Sequence, residues 1–270
     1  MRWINRSPGR ILAVLLMAIP FVVVLLVYTA GSEERRAVNP ADKLLPAPSQ
    51  IVETAVRMAT EPDRRSGEIV LWKDTAASLK RLLMGVGIAA VISLILGLCI
   101  GLLPTAHALL NTFVAVLSMI PPLAILPILF ITFGLGEVSK VVLIVVGVTP
   151  FLIRDLAAKT AELPSEQIVK AQTLGASSFV IGLRVALPQI LPRLIQGVRL
   201  ALGPAWLFLI AAEAIASEVG LGYRIFLVRR FLAMDVILTY VIWITFLAFT
   251  LDWLLSKASK RFFPWAEDGL

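Results

Sequence analysis

Six apolar stretches, each bounded by polar residues, recur along the chain of 270 residues. They cover residues 11–30, 82–103, 109–133, 141–158, 194–212 and 236–255. A helix needs about 20 apolar residues to cross the hydrocarbon core of a bilayer, and these stretches approach that length. The pattern therefore predicts an all-α integral membrane protein with about six transmembrane helices.

The fourth stretch carries charged residues inside its predicted helix. Only residues 141–153 are free of charge, so a spanning helix must continue past Arg154 and Asp155. Charged side chains at such positions reach towards the membrane surface or face a water-filled interior.

The long polar region between the first two stretches contains an amphipathic segment. Ser49 is positioned to cap a helix whose apolar residues recur on one face. These apolar residues are Ile51, Val52, Ala55, Val56 and Ala59. We predict a helix on the extracytoplasmic side that lies along the bilayer surface, with a small soluble excursion as the alternative.

Composition supports a membrane location and excludes several kinds of site. Hydrophobic residues make up 59% of the chain and its mean hydropathy is +0.89, whereas soluble domains contain about 45–50% apolar residues. The net charge of +7 comes without the basic stripe and interleaved aromatic residues that bind nucleic acid. Cys99 and His107 are single residues of their types, which leaves no disulfide framework or Cys/His metal site. His107 is expected in a loop.

Basic residues indicate the orientation in the membrane. Arg2, Arg6 and Arg10 precede the first stretch, and no small-residue cleavage site clearly follows it, so we interpret it as a retained span. Further basic residues lie within 154–199 and 257–270. Because short cytoplasmic segments are enriched in Lys and Arg, both termini are predicted to be cytoplasmic.

Residues 164–188, here called the knob, separate the fourth and fifth stretches. Pro164 and Ser165 begin a predicted helix, and Gly175 ends it. A second helix is predicted over residues 177–186, before Pro188 breaks it. Two helices joined by a glycine turn would protrude from the cytoplasmic face.

The predicted knob carries large apolar side chains, among them Phe179, Ile181 and Val185. Apolar side chains are costly to leave in water, and a docked protein would bury them. The alternative is that the knob packs against its own helices.

The knob also contains a spaced motif of small and apolar residues. Its members are Ala171, Leu174, Gly175, Ala176, Ser177, Leu187 and Pro188. This motif resembles the cytoplasmic EAA loop of binding-protein-dependent ABC importer permeases, which in that family is the coupling helix that sits in a groove of the ATPase. The resemblance implies the type I importer permease fold, with these residues in ATPase coupling.

Five further blocks within residues 45–235 resemble the nitrate, sulfonate and taurine branch of that family. They read LPAPSQI, TAASLKRLLMGVGIA, IPPLAILPILFITFGLGEVSK, GVRLALGPAWLFLIAAEAIAS and GLGYRI. The combination of IVKAQTLGASS with EVGLGYRIFLVRRFLAMDVIL is similar to permeases associated with urea carboxylase. The implied substrate is therefore nitrate, a sulfonate or taurine, or else a urea- or guanidine-like compound.

The chain departs from the family motif at one point. The family's glutamate, six residues before Gly175, is Val169 here, and Lys170 replaces an alanine. The nearest acidic residue is Glu166. An ATPase contact made through that glutamate cannot be carried over to this chain.

The third stretch contains a proline cluster that indicates a pathway wall. Pro121, Pro122 and Pro127 disrupt helical hydrogen bonding, and carbonyl groups freed inside a membrane must face protein or a water-filled cavity. We predict that Ser118, Pro121 and Pro122 line the translocation pathway, with a kink that only aids packing as the alternative. Glu213 resembles the family's Ala-Glu pair at the outer end of the pathway, with an interfacial carboxylate as the alternative.

The positions of other charged residues lead to further expectations. Arg199 and Glu213 are 14 residues apart, about 21 Å along a helix, so they cannot pair within it. Asp252 is expected to pair with a neighbouring base or to reach water. Arg224, with the two arginines that follow it at 229 and 230, is expected to be solvated.

The resemblance implies the permease subunit of an ABC importer in the inner membrane, giving a small polar nutrient a pathway for nitrogen uptake. The implied partners are cytoplasmic ABC ATPase subunits, an extracytoplasmic solute-binding protein, a second permease copy in a homodimer, and membrane lipid, with no nucleic acid. The sequence has no G-x-x-x-x-G-K-[ST] loop. ATP and magnesium are therefore expected in the ATPase, and the chain itself is expected to hold no metal or cofactor and not to be an enzyme.

The predicted organisation has four parts. Residues 1–30 form an N-terminal transmembrane helix, 31–80 an extracytoplasmic region, 81–256 the core permease domain and 257–270 a cytoplasmic tail. A stand-alone secondary transporter or channel is the alternative, and it would call for inverted repeats and buried titratable residues for ion coupling. A membrane-embedded enzyme would call for His, Asp or Glu residues that converge from several stretches. The sequence shows neither pattern.

Overall fold

The computed structural model describes residues 9–39, 42–63 and 67–269 of the chain. Within these ranges the secondary structure is helical and no strand occurs, which confirms the all-α prediction. Arg2 and Arg6, on which the predicted orientation partly rests, lie outside the described residues.

The described residues form eleven α-helices. These are α1 (Arg10–Val38), α2 (Pro48–Thr60), α3 (Val70–Leu102), α4 (Pro104–Leu117), α5 (Leu126–Phe133), α6 (Glu137–Ala161), α7 (Ser165–Thr173), α8 (Ser178–Ile181), α9 (Leu187–Ala216), α10 (Leu221–Val228) and α11 (Met234–Phe262). Short 3₁₀ segments cover Pro122–Ile125, Arg229–Phe231 and Pro264–Gly269, and a π turn covers Gly182–Ala186.

Five helical stretches are long and apolar enough to cross a membrane: α1, α3, α6, α11 and the continuous stretch Ser178–Ala216. A sixth span results if α4 and the segment Pro122–Phe133 count as one broken span, since the two meet at an angle of 81°. The proline cluster at the bend therefore breaks the third span, as the sequence predicts.

The second span begins earlier than predicted, because α3 starts at Val70 rather than at residue 82. Its first turns carry polar residues that a hydropathy pattern assigns to a loop. Asp74, Ser78 and Arg81 are nevertheless buried there, and each is hydrogen-bonded within the protein. Tertiary partners thus extend the helix into a polar stretch of sequence.

The expected break at Pro188 is wrong. Pro188 lies in the first turn of α9, and α8, the π turn and α9 form one continuous helical stretch. In the π turn, the Leu187 N–H donates to the Gly182 carbonyl five residues back. This wider turn shifts the hydrogen-bond pattern where proline has no N–H to donate, so the helix continues.

Two further local predictions are corrected. Ala47, not Ser49, precedes α2, because Pro48 occupies the first helical position, for which its fixed φ angle is suited. His107, expected in a loop, lies within α4 on its exposed side. The helix predicted near the membrane surface does form, and its Thr54 side chain donates a 2.9 Å hydrogen bond to Asp235 at the start of α11.

The core of the bundle is the close pairing of α3 with α6. Small residues occur at every fourth position along one side of α3, namely Gly85, Ala89, Ser93, Gly97 and Gly101. A Cβ atom added at position 97 would lie 2.6 Å from the Leu156 Cβ, and one added at position 101 would lie 2.3 Å from the Thr160 Cβ. Small side chains allow helix backbones to approach this closely in a membrane.

α1 is the exception to this packing. The most apolar part of α1 has no buried residue. The C-terminal part of α1 is held locally, where the Tyr28 hydroxyl donates to the Pro46 carbonyl at 2.7 Å and the Ser32 hydroxyl donates to the Leu45 carbonyl at 2.9 Å. The core that positions the candidate site therefore consists of α3, α6, α9, α10 and α11.

Candidate functional site

The knob has the geometry that its glycine predicts. Gly175 has a φ angle of +81°, a left-handed conformation that favours glycine. The Ala176 N–H donates to the Ala171 carbonyl at 3.0 Å and the Gly175 N–H to the Gln172 carbonyl at 2.9 Å. This pair of bonds is a Schellman motif, which satisfies the last carbonyl groups of α7 and fixes the direction of the chain beyond it.

The second helix of the knob is joined directly to a transmembrane span. The Ser177 side chain caps α8 by accepting a 3.4 Å hydrogen bond from the Val180 N–H. The Gln189 side chain in α9 donates to the Gln167 side chain in α7 at 2.9 Å. Because α8 continues into α9 without a break, a displacement of the knob would be transmitted along the stretch Ser178–Ala216.

The outer surface of the knob is apolar and exposed. Leu174 is 87% exposed and Phe179 is 75% exposed, while Val169 on α7 is also exposed. Ile181, expected on the same surface, is buried against the chain itself. Leu187 and Pro188 are half-buried at the start of α9. The structure therefore divides the predicted motif between an exposed tip and a half-buried base.

Ser118 lies at the bend of the third span, directly after α4. Its hydroxyl donates to the Ala115 carbonyl at 2.7 Å and accepts a 2.8 Å hydrogen bond from the Arg154 guanidinium of α6. Pro121 and Pro122 follow at the start of the 3₁₀ segment. The structure thus brings Ser118 together with Arg154, which the sequence reasoning placed inside a span without a partner.

Glu213 lies at the other end of the bundle and has no exposed surface. Its carboxylate accepts hydrogen bonds from the Ser78 hydroxyl at 2.8 Å, the Arg81 Nη1 at 2.6 Å and the Gly222 N–H at 2.9 Å. Three donors surround a carboxylate that is shielded from solvent. This geometry supports a role in holding helices together rather than direct contact with a solute.

Arg81 extends this network to the protein surface. Its guanidinium also donates to the Glu137 carboxylate, with distances of 2.5 Å from Nε and 2.7 Å from Nη2, and to the Val219 carbonyl at 2.8 Å. The Glu137 side chain is 64% exposed. One arginine therefore connects a surface acid on α6 with a buried acid on α9.

Asp74, one turn before Ser78 on α3, forms the second half of the network. Its carboxylate accepts hydrogen bonds from the Gly220 N–H at 3.0 Å, Arg224 Nε at 2.9 Å and the Tyr240 hydroxyl at 3.0 Å. The expectation that Arg224 is solvated is therefore wrong. Burial alone would lower the pKa of Arg224, but the hydrogen bond and the charge of Asp74 raise it above its ordinary value.

The spacing of Asp74, Ser78 and Arg81 places them on one side of α3. Together they hold the turn 220–222 and the end of α9. We call these three residues, together with Glu137, Glu213, Arg224 and Tyr240, the polar network. The sequence reasoning missed this arrangement because it assigned residues 31–80 to a polar extracytoplasmic region and began the second span at residue 82. Helical spacing of polar residues at the start of an apolar span was the available signal.

Ion pairs also join the spans nearer the knob. Arg193 on α9 donates to Asp155 on α6 at 2.5 and 2.9 Å. Arg199 donates to Asp252 on α11 at 2.8 and 3.0 Å. The expectation that Asp252 pairs with a neighbouring base is confirmed, and Arg199 finds its acid on another helix. In the part of the chain that the structure describes, no group of three or more His, Cys, Asp or Glu side chains is arranged to hold a metal ion.

The chain was compared with known protein families, curated proteins and solved structures. The family model described as "Binding-protein-dependent transport system inner membrane component" matches residues 89–263. The taurine transport system permease protein TauC of Escherichia coli (strain K12) is 34% identical over 221 residues, covering 82% of this chain and 80% of that protein. The putative aliphatic sulfonates transport permease protein SsuC of the same organism is 31% identical over 200 residues, covering 74% and 73%.

A bicarbonate transport system permease protein, CmpB of Synechococcus elongatus, is 34% identical over 165 residues, covering 60% of this chain and 59% of that protein. Among solved structures, an inward-facing form of the MetNI methionine ABC transporter matches with a TM-score of 0.63. That match covers 71% of this chain and 95% of the compared chain at 20% identity, and it shows the fold.

Proposed function

This chain belongs to the family of binding-protein-dependent transport system inner membrane components, and on that premise we propose that its knob couples a separate ATPase to a pathway through the membrane. It is an ABC importer permease of the taurine, sulfonate and bicarbonate type. The relatives are permease components of transporters, not enzymes. ATP is bound and hydrolysed in the partner ATPase.

The observation that carries this proposal is the exposed apolar tip of the knob. Leu174 and Phe179 project from a turn whose direction the Schellman motif fixes. Burying a large apolar side chain contributes about 1.5–3 kcal/mol, so a groove on a partner that covers both gains several kcal/mol. Val169, where the family has a glutamate, adds an exposed apolar side chain to the same helix. Docking through this tip therefore relies on apolar contact.

The knob acts as a lever in this proposal. Closure of two ATPase subunits on ATP displaces the docked knobs of two permease copies. The stretch Ser178–Ala216 carries the displacement into the membrane, and the ion pairs of Arg193 with Asp155 and of Arg199 with Asp252 pass it to α6 and α11. The spans then alternate between inward-open and outward-open arrangements.

The pathway runs past the broken third span, where Ser118, Pro121 and Pro122 form part of its wall. The bend of 81° at this point supports the assignment, because irregular backbone at membrane depth is tolerated where it faces protein or a water-filled cavity. Glu213 contributes to the outer end indirectly, by fixing the turn 220–222. A solute-binding protein delivers the solute there, and both termini lie in the cytoplasm.

The transported solute is a small polar nutrient. The printed names of the relatives specify taurine, aliphatic sulfonates and bicarbonate. These names favour a small solute with an acidic group over the urea- or guanidine-like alternative.

Mild purification of the tagged chain from its own host, followed by mass spectrometry, tests the proposal. We expect a stoichiometric ABC ATPase to co-purify. Leu174→Asp should abolish this association, because it places a charge in the docking groove. Leu135→Asp is the matched control, since Leu135 is also an exposed leucine beside a glycine but lies at the other end of the bundle. A chain that repeatedly purifies alone, or an association that Leu174→Asp leaves intact, would overturn the proposed docking.

A further inference from the structure

The last turns of α11 carry three basic residues beyond the apolar stretch that predicts this helix. The predicted span ends at residue 255, whereas the helix continues to Phe262. Lys257, Lys260 and Arg261 therefore lie on the helix, and all three are exposed. Residues three and four positions apart lie on one side of a helix, so the three cations form a single cluster.

This cluster continues an exposed apolar stripe along α11. Phe246, Phe249 and Trp253 are exposed, and the steps between them, and on to Lys257 and Lys260, are three or four residues. An exposed apolar stripe on a transmembrane helix faces lipid, and cations at its end extend to the lipid headgroups. The opposite side of the helix packs against the core of the bundle through Tyr240, Ile244, Leu247 and Leu251.

The end of α11 is level with the beginning of α9. Leu255 on α11 and Leu194 on α9 line the same groove. Leu255 is seven residues before the end of α11, and Leu194 is seven residues after the start of α9, which is about 10 Å along each helix. The cluster therefore lies at the membrane surface from which the knob protrudes.

Aromatic side chains surround the cluster. The Lys257 Nζ lies over the Trp253 ring, 5.0 Å from its centre. Directly after α11, the Phe263 and Trp265 rings meet edge to face with their centres 5.4 Å apart, and Trp265 is exposed. Tryptophan is enriched at the headgroup level of membranes because its ring is apolar and its N–H is polar. These tryptophans therefore support a position of the cluster among the lipid headgroups.

An open recess with a volume of about 550 Å³ lies at the cluster. Its lining combines apolar side chains with all three cations, namely Leu254, Ala258 and Phe262 with Lys257, Lys260 and Arg261. A lining of this kind is complementary to an amphipathic anion, because the cations attract a phosphate group and the apolar side chains contact acyl chains.

We propose that this recess binds an anionic phospholipid, with the phosphate at Lys257, Lys260 and Arg261 and the acyl chains along the stripe that contains Trp253. Ammonium and guanidinium groups donate strong hydrogen bonds to phosphate oxygens. A zwitterionic phospholipid also has a phosphate, but its own ammonium offsets the charge. The site therefore prefers a headgroup with net negative charge, such as phosphatidylglycerol. This inference goes beyond the proposed transport function and does not depend on it.

Native mass spectrometry of the purified chain in detergent counts bound lipid directly. The chain is titrated with phosphatidylglycerol and, separately, with phosphatidylcholine that has the same acyl chains. The site variant replaces all three cations of the cluster by glutamine. The control variant, Lys80→Gln with Arg229→Gln and Arg230→Gln, removes three exposed positive charges at the other end of the bundle. Thermal unfolding compares the stability of both variants with that of the native chain.

We expect the native chain and the control variant to bind phosphatidylglycerol equally well. Each basic residue near a membrane surface contributes about fivefold to the binding of anionic lipid, so the site variant should bind roughly 100-fold more weakly and Lys257→Gln alone about fivefold more weakly. Lys257→Arg combined with Lys260→Arg should retain binding because both charges remain. Phosphatidylcholine should bind weakly to every variant.

Three results would overturn the site: an unchanged affinity of the site variant, an equal loss in the control variant, or equal affinities for the two lipids. Displacement of bound phosphatidylglycerol by excess inorganic phosphate would indicate a site for free phosphate and would overturn the lipid assignment. The measurement uses no ATPase, so a failure of the proposed docking leaves its outcome unchanged.

Discussion

Arg81 and Glu213 form an ion pair with 2.6 Å between Nη1 and Oε1, and neither side chain is more than 6% exposed. The two residues are 132 positions apart in sequence and join α3 to α9. Arg81 also contacts Glu137, whose side chain is largely exposed. Arg81 therefore sits at the centre of the polar network, with one acidic partner in the protein interior and the other at the surface.

Removing one member of the buried pair should destabilise the protein strongly. Arg81→Met leaves the Glu213 carboxylate buried without its cation, and such changes typically cost about 3–5 kcal/mol. Glu137→Gln should cost at most about 1 kcal/mol because that carboxylate is exposed. The measurement is the free energy of unfolding in mixed detergent micelles. Equal effects of the two substitutions would contradict this account, and the double variant Arg81→Met with Glu213→Met should be more stable than Arg81→Met alone.

Glu213→Gln separates a structural role from a direct role in transport. Glutamine keeps the side-chain length but weakens the bonds from Ser78, Arg81 and Gly222. We expect slower uptake that follows the loss of stability, with unchanged apparent affinity for the solute. Uptake assays on vesicles at two temperatures check this relation. A changed affinity at full stability would instead indicate that Glu213 contacts the solute.

Substituting Asp74 should destabilise the protein more than substituting any one of the side chains that donate to it. Tyr240→Phe removes one hydrogen bond to Asp74, which is worth about 0.5–1.5 kcal/mol. Asp74→Asn also removes the charge that pairs with Arg224 and should cost more. Thermal unfolding of both variants shows which substitution lowers the stability more. An Asp74→Asn variant as stable as Tyr240→Phe would show that the pair with Arg224 contributes little.

Because α3 and α6 pack closely, adding one methyl group to α3 should destabilise the protein only at positions that face α6. Gly97→Ala brings a Cβ within 2.6 Å of Leu156, so the helices must move apart. Gly87→Ala is a matched control on the same helix, with no atom within 4 Å of the added Cβ. We expect Gly97→Ala to lower the unfolding free energy by about 1–3 kcal/mol and Gly87→Ala to leave it unchanged or raise it. In a Leu156→Gly background, which removes the Cβ atom that the new methyl group meets, Gly97→Ala should cost less than it does in the native background.

Gly175→Pro should disconnect the knob from the spans without preventing membrane insertion. Proline fixes φ near −65°, whereas Gly175 has φ +81°, and it removes the N–H that donates to Gln172. ATP hydrolysis by the co-purified complex should continue while uptake falls to background. Gly175→Ala, which retains the N–H and is strained by about 1–2 kcal/mol, should show an intermediate effect. Normal uptake by the proline variant would contradict the lever.

Features that depend only on neighbouring residues could be predicted from the sequence. Long apolar runs predicted the spans, the prolines at 121 and 122 predicted the break in the third span, and Gly175 predicted the turn of the knob. In each case the physical cause is local, since hydropathy, a missing N–H group or a positive φ angle acts within a few residues of chain.

Which polar residues are buried, and which groups they contact, became apparent from the packing of the helices. Asp74 and Arg224 are 150 residues apart, and Arg81 and Glu213 are 132 apart. Without knowledge of those partners, the sequence pattern places Asp74 and Ser78 in a polar extracytoplasmic region and Arg224 in solvent. The energy of a polar group in a membrane protein depends on the groups brought to it by packing, and a linear pattern of residues does not contain that information.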